Sequence, residues 1–200
     1  MGRVGFGLGL RIAMAGWALA VSCPTTSASE PAALPPRTKV LRDLPYVTPA
    51  HPRQTLDLFL PDRSTATPLA IFIHGGGFSG GDKDKLNPSD LRQLLEAGIA
   101  VASLNYRFYR DAPLPGAFDD CARAVQVLRA RAAEWNLLSA RVAAFGGSAG
   151  AQIAMYLAFH DDLADPQSAD PIARQSTRLT CVATARELRA RERRARERRG

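Results

Sequence analysis

A serine among small residues is the strongest candidate for chemistry in this 200-residue chain. The segment Gly146-Gly147-Ser148-Ala149-Gly150 has the pattern G-x-S-x-G. This pattern is typical of a sharp strand-to-helix turn, where small neighbours let the backbone bend tightly and leave the serine Oγ exposed. The first turn of the following helix would present unpaired N–H groups to the same place. The segment therefore predicts a serine nucleophile for acyl transfer.

A second glycine-rich segment, His74-Gly75-Gly76-Gly77, follows an apolar run upstream of the serine. Glycines carry no side chain, so their N–H groups can point at a developing oxyanion, each donor contributing roughly 3–4 kcal/mol. The segment therefore predicts an oxyanion-binding loop. Two alternatives stay open, namely glycine-rich turns of an unrelated α/β domain and a phosphate-binding loop. Neither glycine segment is followed by the Lys-Ser or Lys-Thr pair of a phosphate-binding loop.

The segments around these motifs alternate between strand and helix patterns. Strands are predicted at residues 39–47, 54–60, 69–73, 99–104, 141–145 and 179–183. Helical spacing of apolar residues predicts helices at residues 90–97, 118–135 and 149–159. Such alternation predicts an α/β fold with a mostly parallel sheet. The serine and the glycine segment would each follow a strand.

The three cysteines, Cys23, Cys121 and Cys181, show no spacing typical of a metal site. Cys121 lies on the apolar face of the predicted helix 118–135, and Cys181 lies in an apolar strand pattern. Free cysteines are among the most buried residues, so we expect both of these thiols to be buried. No metal and no cofactor is predicted.

The positive charge of the chain is concentrated at its end. The formal net charge is +7, and residues 185–200 hold eight Arg and three Glu. This abrupt change of composition is what a shifted reading frame or a premature end of the coding sequence would give. The alternative is a genuine, charged helical tail, which would bind an anionic partner such as nucleic acid or a membrane surface. The tail has no aromatic residue for base stacking, so we expect no nucleic-acid partner.

The first residues have the pattern of an export signal. Arg3 and Arg11 precede an uncharged apolar run at residues 12–21, which is too short to span a bilayer. We predict a signal peptide at residues 1–22, a lipobox-like site at Cys23 and a linker at residues 23–38. Export to the periplasm or the medium is the expected localisation, with a lipid anchor at Cys23 as one form of it. The alternative is a frayed N-terminal helix of a cytoplasmic protein.

Residues 39–184 resemble part of an α/β-hydrolase domain. Specific motifs support this resemblance: Leu56-Asp57-Leu58-Phe59-Leu60-Pro61, Ile73-His74-Gly75-Gly76-Gly77-Phe78, Gly80-Gly81-Asp82-Lys83, Asn105-Tyr106-Arg107, Asp119-Asp120-Cys121 and Phe145-Gly146-Gly147-Ser148-Ala149-Gly150. Together they are similar to esterases of the hormone-sensitive-lipase and acetyl-esterase type, including the feruloyl-esterase-like BD-FAE branch. The resemblance implies a three-layer α/β-hydrolase sandwich and a serine carboxylesterase.

The resemblance also implies roles for the motif residues. Ser148 would be the nucleophile, and the backbone N–H groups of Gly76, Gly77 and Ala149 would be the oxyanion donors. His74 and Gly75 would support that loop, His74 without acting as the catalytic base. The implied substrates are short acyl, acetyl or feruloyl-type esters, either small molecules or linked to a polysaccharide, and no cofactor is implied.

The chain departs from the family pattern after the serine. Members place the acid and the histidine of the triad after further strands, in the order Ser, Asp, His. After Ser148 this sequence holds one histidine, His160, which twelve residues of helix would place about 18 Å from the serine end. His51 precedes the core of the sheet. We therefore expect a sheet without its C-terminal strands and little esterase activity, since an acid alone does not activate serine.

Overall fold

The computed structural model describes residues 33–185. It contains six strands, a 3-10 turn and three helices: β1 Lys39–Pro45, β2 Thr55–Leu60, β3 Thr67–Ile73, the turn Lys83–Lys85, α1 Pro88–Glu96, β4 Ala100–Leu104, α2 Gly116–Ala130, β5 Leu137–Gly147, α3 Ala149–Phe159 and β6 Cys181–Ala185. The predicted signal peptide, the site at Cys23 and most of the linker lie outside the described residues. So do the Arg/Glu tail beyond residue 185 and any strands that would follow it.

The six strands form one mixed sheet with the order β1-β2-β4-β3-β5-β6. Neighbours from β4 through β3 and β5 to β6 are parallel, whereas β1, β2 and β4 pair antiparallel. Ile73, the last residue of β3, lies in register with Gly146 of β5. The connections that leave β3 and β5 therefore start side by side. They lie at the carboxyl ends of parallel strands, where ligands commonly bind.

Helices cover both faces of the sheet, which confirms the predicted three-layer α/β fold. On one face, α1 packs Leu91 and Leu95 against Phe59 and Val101. The other face carries α2 and α3, whose buried apolar residues join the larger core cluster with the sheet residues on that side. The period of two along each strand sends alternate side chains to the two layers.

The helix predicted at residues 118–135 is shifted in the structure, because α2 begins at Gly116 and ends at Ala130. Residues 131–136 instead form turns, and Asn136 has a φ of 53°, a left-handed conformation in which asparagine is common. β5 then begins at Leu137, earlier than predicted, because Leu137 pairs with Thr67 before a register shift. The helical spacing of apolar residues continued across the turn and hid the break.

The prediction that Cys121 and Cys181 are buried is confirmed for Cys121 and wrong for Cys181. Cys121 is fully buried on α2, and burial raises the pKa of its thiol well above the ordinary value. Cys181 is exposed on β6. It lines a cavity of about 870 Å³ between α1 and strands β3, β5 and β6. An apolar strand pattern predicts a buried face only where another layer covers the strand, and the described residues leave this part of the sheet open.

A buried ion cluster joins β1, β2 and the 3-10 turn. The carboxylate of Asp57 is 1% exposed and accepts hydrogen bonds from the Asp43 N–H at 2.9 Å, from Lys83 Nζ at 2.9 Å and from Arg42. A register shift between Leu41 and Leu44 places these β1 groups over Asp57. Burial opposes ionisation of Asp57, but the hydrogen bonds from Asp43, Lys83 and Arg42 hold its pKa below the ordinary value.

We expect this cluster to make the fold sensitive to acid. Because the folded pKa of Asp57 is depressed, its contribution is complete above the unfolded pKa of about 3.9 and is lost as the pH falls through the folded value. Asp57→Asn should cost about 3 kcal/mol near pH 7, since it removes the buried carboxylate that pairs with the buried Lys83 ammonium. Urea unfolding at several pH values would measure this, with the exposed Asp62→Asn as a control that changes little. Equal losses in both variants would contradict the prediction.

Candidate active site

Ser148 lies on the predicted sharp turn, between the end of β5 and the start of α3. Its backbone has a φ of 54° and a ψ of −122°, a region that favours glycine. Such strained conformations cost of order 1–3 kcal/mol and persist only where the surrounding structure enforces them. Ser148 also occupies the N-cap position of α3 without making a side-chain cap bond. Its hydroxyl is therefore not used to hold the helix.

Two glycines on either side of the serine press against the backbone of β3. A Cβ added to Gly146 would lie 2.2 Å from the carbonyl oxygen of Ile73, and one added to Gly150 would lie 1.9 Å from the same oxygen. Real Cβ atoms do not approach backbone this closely. The pattern G-x-S-x-G is therefore required here by packing as well as by the turn.

The segment that follows β3 is called here the glycine loop, residues 74–82. It reaches the serine directly, because a Cβ on Gly75 would lie 2.8 Å from the carbonyl oxygen of Gly147 and 3.4 Å from Ser148 Cβ. The structure thus brings together the two glycine-rich motifs that were predicted to carry the chemistry. The contact is made by backbone, and any larger residue at position 75 would push the two motifs apart.

The glycine loop is held in a conformation that ordinary residues rarely adopt. Gly76, Gly77 and Gly81 have φ values of 127°, 60° and 98°. The carbonyl oxygen of Gly76 accepts hydrogen bonds from the N–H groups of Ser79 and Gly80, both at 3.1 Å, which closes the loop on itself.

Three backbone N–H groups of the two glycine-rich motifs remain available as donors. Among residues 33–185, the N–H groups of Gly76, Gly77 and Ala149 donate no hydrogen bond to another described residue. The Ala149 N–H is free because the first N–H groups of a helix have no intrahelical partner. The positive end of the α3 dipole lies at the same point. These are the three groups that the family resemblance assigned to the oxyanion hole.

His74 is fully buried beneath the glycine loop, and both ring nitrogens are engaged. Nδ1 lies 2.7 Å from the carbonyl oxygen of Gly75, and Nε2 lies 3.0 Å from an Arg53 nitrogen. Its ring stacks on Tyr106, with centroids 4.4 Å apart. Burial lowers the pKa of His74 below the ordinary value, and the nearby Arg53 charge lowers it further. Both ring nitrogens of His74 are thus occupied by contacts within the protein, and burial favours the neutral ring.

Arg53 is a residue of the site that no sequence motif predicted. It lies in a turn before β2, yet its guanidinium contacts both ends of the glycine loop: the His74 ring, the Gly81 carbonyl at 3.2 Å and the Asp82 carboxylate at 2.8 Å. It also donates to the carbonyl oxygen of Tyr106 at 3.3 Å. No local pattern marks Arg53, because its partners are distant in sequence.

A second buried carboxylate organises the end of β4. Asp120 of α2 is 2% exposed and accepts hydrogen bonds from the guanidinium of Arg107, at 2.7 to 3.1 Å, and from Gln54 at 2.6 Å. The Tyr46 hydroxyl donates to the carbonyl oxygen of Asn105 at 2.6 Å. The motif Asn105-Tyr106-Arg107 is thereby fixed beside the glycine loop.

The other two histidines do not reach the serine. His160 is the C-cap of α3, at the opposite end of an 11-residue helix that is about 16 Å long. This confirms the expected separation from Ser148. His160 packs on the ring of Tyr156, with centroids 4.4 Å apart. His51 accepts a hydrogen bond from the N–H of Arg53 through Nδ1. All three histidines of the chain thus lie in the described part without bonding to Ser148.

An aromatic row extends from the glycine loop along α2 and α3. Phe78, at a φ of 58°, packs against Phe118 with centroids 5.7 Å apart, and Phe118 packs edge-on against Tyr156 at 4.9 Å. All three side chains are half-buried. The described residues contain no group of three His, Cys, Asp or Glu side chains arranged to hold a metal ion.

Comparisons with known proteins point to esterases. Carboxylic ester hydrolase LipN of Mycobacterium tuberculosis is 35% identical over 96 residues, which are 48% of this chain and 26% of that protein. Esterase LipI of the same organism is 30% identical over 136 residues, covering 59% of this chain and 42% of that protein. This chain thus spans less than half the length of these curated relatives.

Solved structures share the fold. An acetyl ester-xyloside bifunctional hydrolase from Caldicellulosiruptor lactoaceticus superposes with a TM-score of 0.61 at 29% identity, covering 74% of this chain and 57% of that one. A truncated carbohydrate esterase from gut microbiota, at 22% identity, reaches 0.63 over 72% of this chain and 55% of that one. The family model BD-FAE matches residues 56–183, a range that includes the glycine loop, Ser148 and most of the sheet. With well over half of its length matched by that model, the chain is a member of the BD-FAE family.

Proposed function

We propose that this chain is a carboxylic-ester hydrolase in which Ser148 is the nucleophile. The observation that carries the proposal is the contact of Gly75 with Ser148, which brings the glycine loop against a serine on a strained turn. The curated relatives, which are named a carboxylic ester hydrolase and an esterase, support the same reaction class.

In the proposed reaction, Ser148 Oγ attacks the carbonyl carbon of the ester. The carbonyl oxygen becomes negative in the tetrahedral intermediate, where it accepts hydrogen bonds from the N–H groups of Gly76, Gly77 and Ala149. The intermediate collapses, the C–O bond to the alcohol breaks, and the alcohol leaves with the proton that the Ser148 hydroxyl has given up. Water then hydrolyses the acyl-serine and releases the acid. The N-terminal end of α3 lowers the energy of the negative intermediate further.

Turnover by this 200-residue chain is proposed to be weak. Ser148 needs a base, and none of the three histidines in the sequence bonds to it. A serine without its histidine loses most of its activation, but the oxyanion donors and substrate binding still leave residual catalysis of roughly 10³–10⁴-fold over water. We therefore propose slow acylation at Ser148 with little hydrolysis.

The proposed substrates are short acyl, acetyl or feruloyl-type esters of small molecules or polysaccharides. The Caldicellulosiruptor neighbour is an acetyl ester-xyloside hydrolase, which supports an acetyl ester on a sugar. The row of Phe78, Phe118 and Tyr156 beside the glycine loop offers an apolar surface to an acyl group.

Export is proposed for the same chain. Its support is the apolar run at residues 12–21 behind two arginines, with Cys23 available for a lipid anchor. Within the range 33–185, no helix is long and apolar enough to cross a membrane. A fusion of residues 1–38 to a reporter that is active only outside the cytoplasm tests this. A reporter that stays silent would argue against export.

Labelling with a fluorophosphonate, followed by peptide mass spectrometry, tests the proposed function. The full chain should form one covalent adduct on Ser148, because the phosphonyl oxygen resembles the tetrahedral intermediate and uses the same donors. Hydrolysis of p-nitrophenyl acetate should be weak beside that of a complete esterase. The absence of an adduct on a folded chain, or an adduct only on other serines, would reject the proposal.

A further inference from the structure

Arg53 links the two ends of the glycine loop to the rest of the sheet. Its guanidinium lies within hydrogen-bond distance of His74 Nε2 at one end and of Gly81 and Asp82 at the other. The same group stacks 4.2 Å from the ring centre of Phe108, and less than a fifth of the side chain is exposed. The Asp82 carboxylate is held in turn by Asn105 Nδ2 at 3.0 Å.

The two contacts of the ring, with Arg53 and with the Gly75 carbonyl, fix which nitrogen of His74 carries the proton. A guanidinium has donors and no acceptor, so His74 Nε2 must accept and be unprotonated. The proton of the neutral ring then sits on Nδ1, which donates to the carbonyl oxygen of Gly75 at 2.7 Å. The positive charge of Arg53 also opposes protonation of His74, adding to the effect of burial on the His74 pKa.

That hydrogen bond sets the direction of an oxyanion donor. The carbonyl of Gly75 and the N–H of Gly76 belong to one planar trans peptide, so they point in opposite directions. With the oxygen held toward the buried His74 ring, the Gly76 N–H points away from it. Gly81 packs closely on the same oxygen, since a Cβ added there would lie 2.2 Å from it.

We propose that Arg53 is the positioning residue of the oxyanion hole, acting through the tautomer of His74 on the peptide between Gly75 and Gly76. The catalytic consequence rests on the proposed function, whereas the control of the His74 ring does not. A lysine at position 53 cannot replace the arginine fully, because an ammonium lacks the planar fork that reaches several acceptors at once.

Nitrogen NMR of the histidine rings tests the structural part. The chain has three histidines, so His51→Gln and His160→Gln variants assign the signals of His74. The wild-type ring should be neutral, with Nδ1 protonated and Nε2 bare. In Arg53→Met this pattern should be lost, with the proton moving to Nε2 or the ring titrating near neutral pH.

The rate of Ser148 phosphonylation tests the functional part. Arg53→Met should label at least about tenfold more slowly than wild type, since a misdirected donor acts mainly in the transition state. Arg53→Lys should fold and be labelled at a rate between those of wild type and Arg53→Met. If Arg53→Met does not fold, the comparison uses Arg53→Lys instead.

A matched control is Arg131→Met. Arg131 also forms an ion pair, 2.8 Å from Glu134, and lies 4.3 Å from the ring centre of Trp135, but it has no contact with the glycine loop. Its labelling rate should stay within about twofold of wild type, as expected for an exposed pair. A folded Arg53→Met chain with the wild-type ring pattern and rate would overturn the inference. If wild-type Ser148 takes no label, the proposed function fails, and the NMR comparison alone decides the role of Arg53.

Discussion

A Gly150→Ala variant is expected to lose most or all of its folding stability. The new Cβ would lie 1.9 Å from the carbonyl oxygen and 2.7 Å from the carbonyl carbon of Ile73, both backbone atoms at the end of strand β3. Alanine is a better helix former than glycine by about 1 kcal/mol, which works against this expectation. Overpacking against backbone that cannot move should cost more than about 3 kcal/mol and outweigh that gain. Urea unfolding followed by circular dichroism measures the difference.

Gly80→Ala is the matched control for this substitution. The nearest atom to its added Cβ, outside its neighbours in the chain, is the carbonyl oxygen of Gly76 at 4.0 Å. Its N–H keeps the hydrogen bond to Gly76 that closes the glycine loop. Its free energy of unfolding should therefore stay within about 1 kcal/mol of wild type. If Gly150→Ala were as stable as Gly80→Ala, the close packing of the turn on β3 would be wrong.

Substitutions of Ser148 should separate activity from stability. Ser148→Ala and Ser148→Gly should both abolish the fluorophosphonate adduct, since neither has a nucleophile. Ser148→Ala keeps a side chain at a φ of 54° and should match the stability of wild type. Ser148→Gly removes a backbone strain of order 1–3 kcal/mol. The greater entropy of glycine in the unfolded chain costs less than about 1 kcal/mol, so Ser148→Gly should be more stable than Ser148→Ala by roughly 1 kcal/mol.

The control for labelling is Ser79→Ala, which changes an exposed serine of the glycine loop whose hydroxyl donates only to the Gly77 carbonyl. It should keep the adduct. If Ser148→Ala were still labelled, a residue other than Ser148 would be the nucleophile. A glycine variant less stable than the alanine variant would mean that the turn is not strained.

The central part of the fold could be predicted from the sequence because its signals are local. A continuous apolar run marked β3, and small residues around Ser148 marked the turn between β5 and α3. The structure adds that β3 and β5 are adjacent and parallel, with Ile73 in register with Gly146. That the glycine loop and Ser148 meet was implied by the family resemblance, which assigned both to one oxyanion site.

Features that depend on distant contacts could not be predicted. Arg53 and His74 are 21 residues apart, and Gln54 and Asp120 are 66 residues apart, so no periodicity connects them. Cys181 was misjudged because burial depends on what covers a strand as well as on its own pattern. In the candidate site, the residues that form the turn and the loop residue His74 were named from the sequence, whereas Arg53, which contacts both ends of the glycine loop, was not.

The close approach of Gly146 and Gly150 to Ile73 limits how this site can diversify under selection. The contact of Gly146 and Gly150 with Ile73 is made by backbone, so any side chain added at either glycine would clash. Mutations at these two positions would therefore be removed by loss of folding. Side chains farther out, such as Phe78, Phe118 and Tyr156, tolerate exchange more readily because they are half-buried and contact one another. A library of variants built to alter ester preference would therefore vary that aromatic row and keep Gly146 and Gly150 constant.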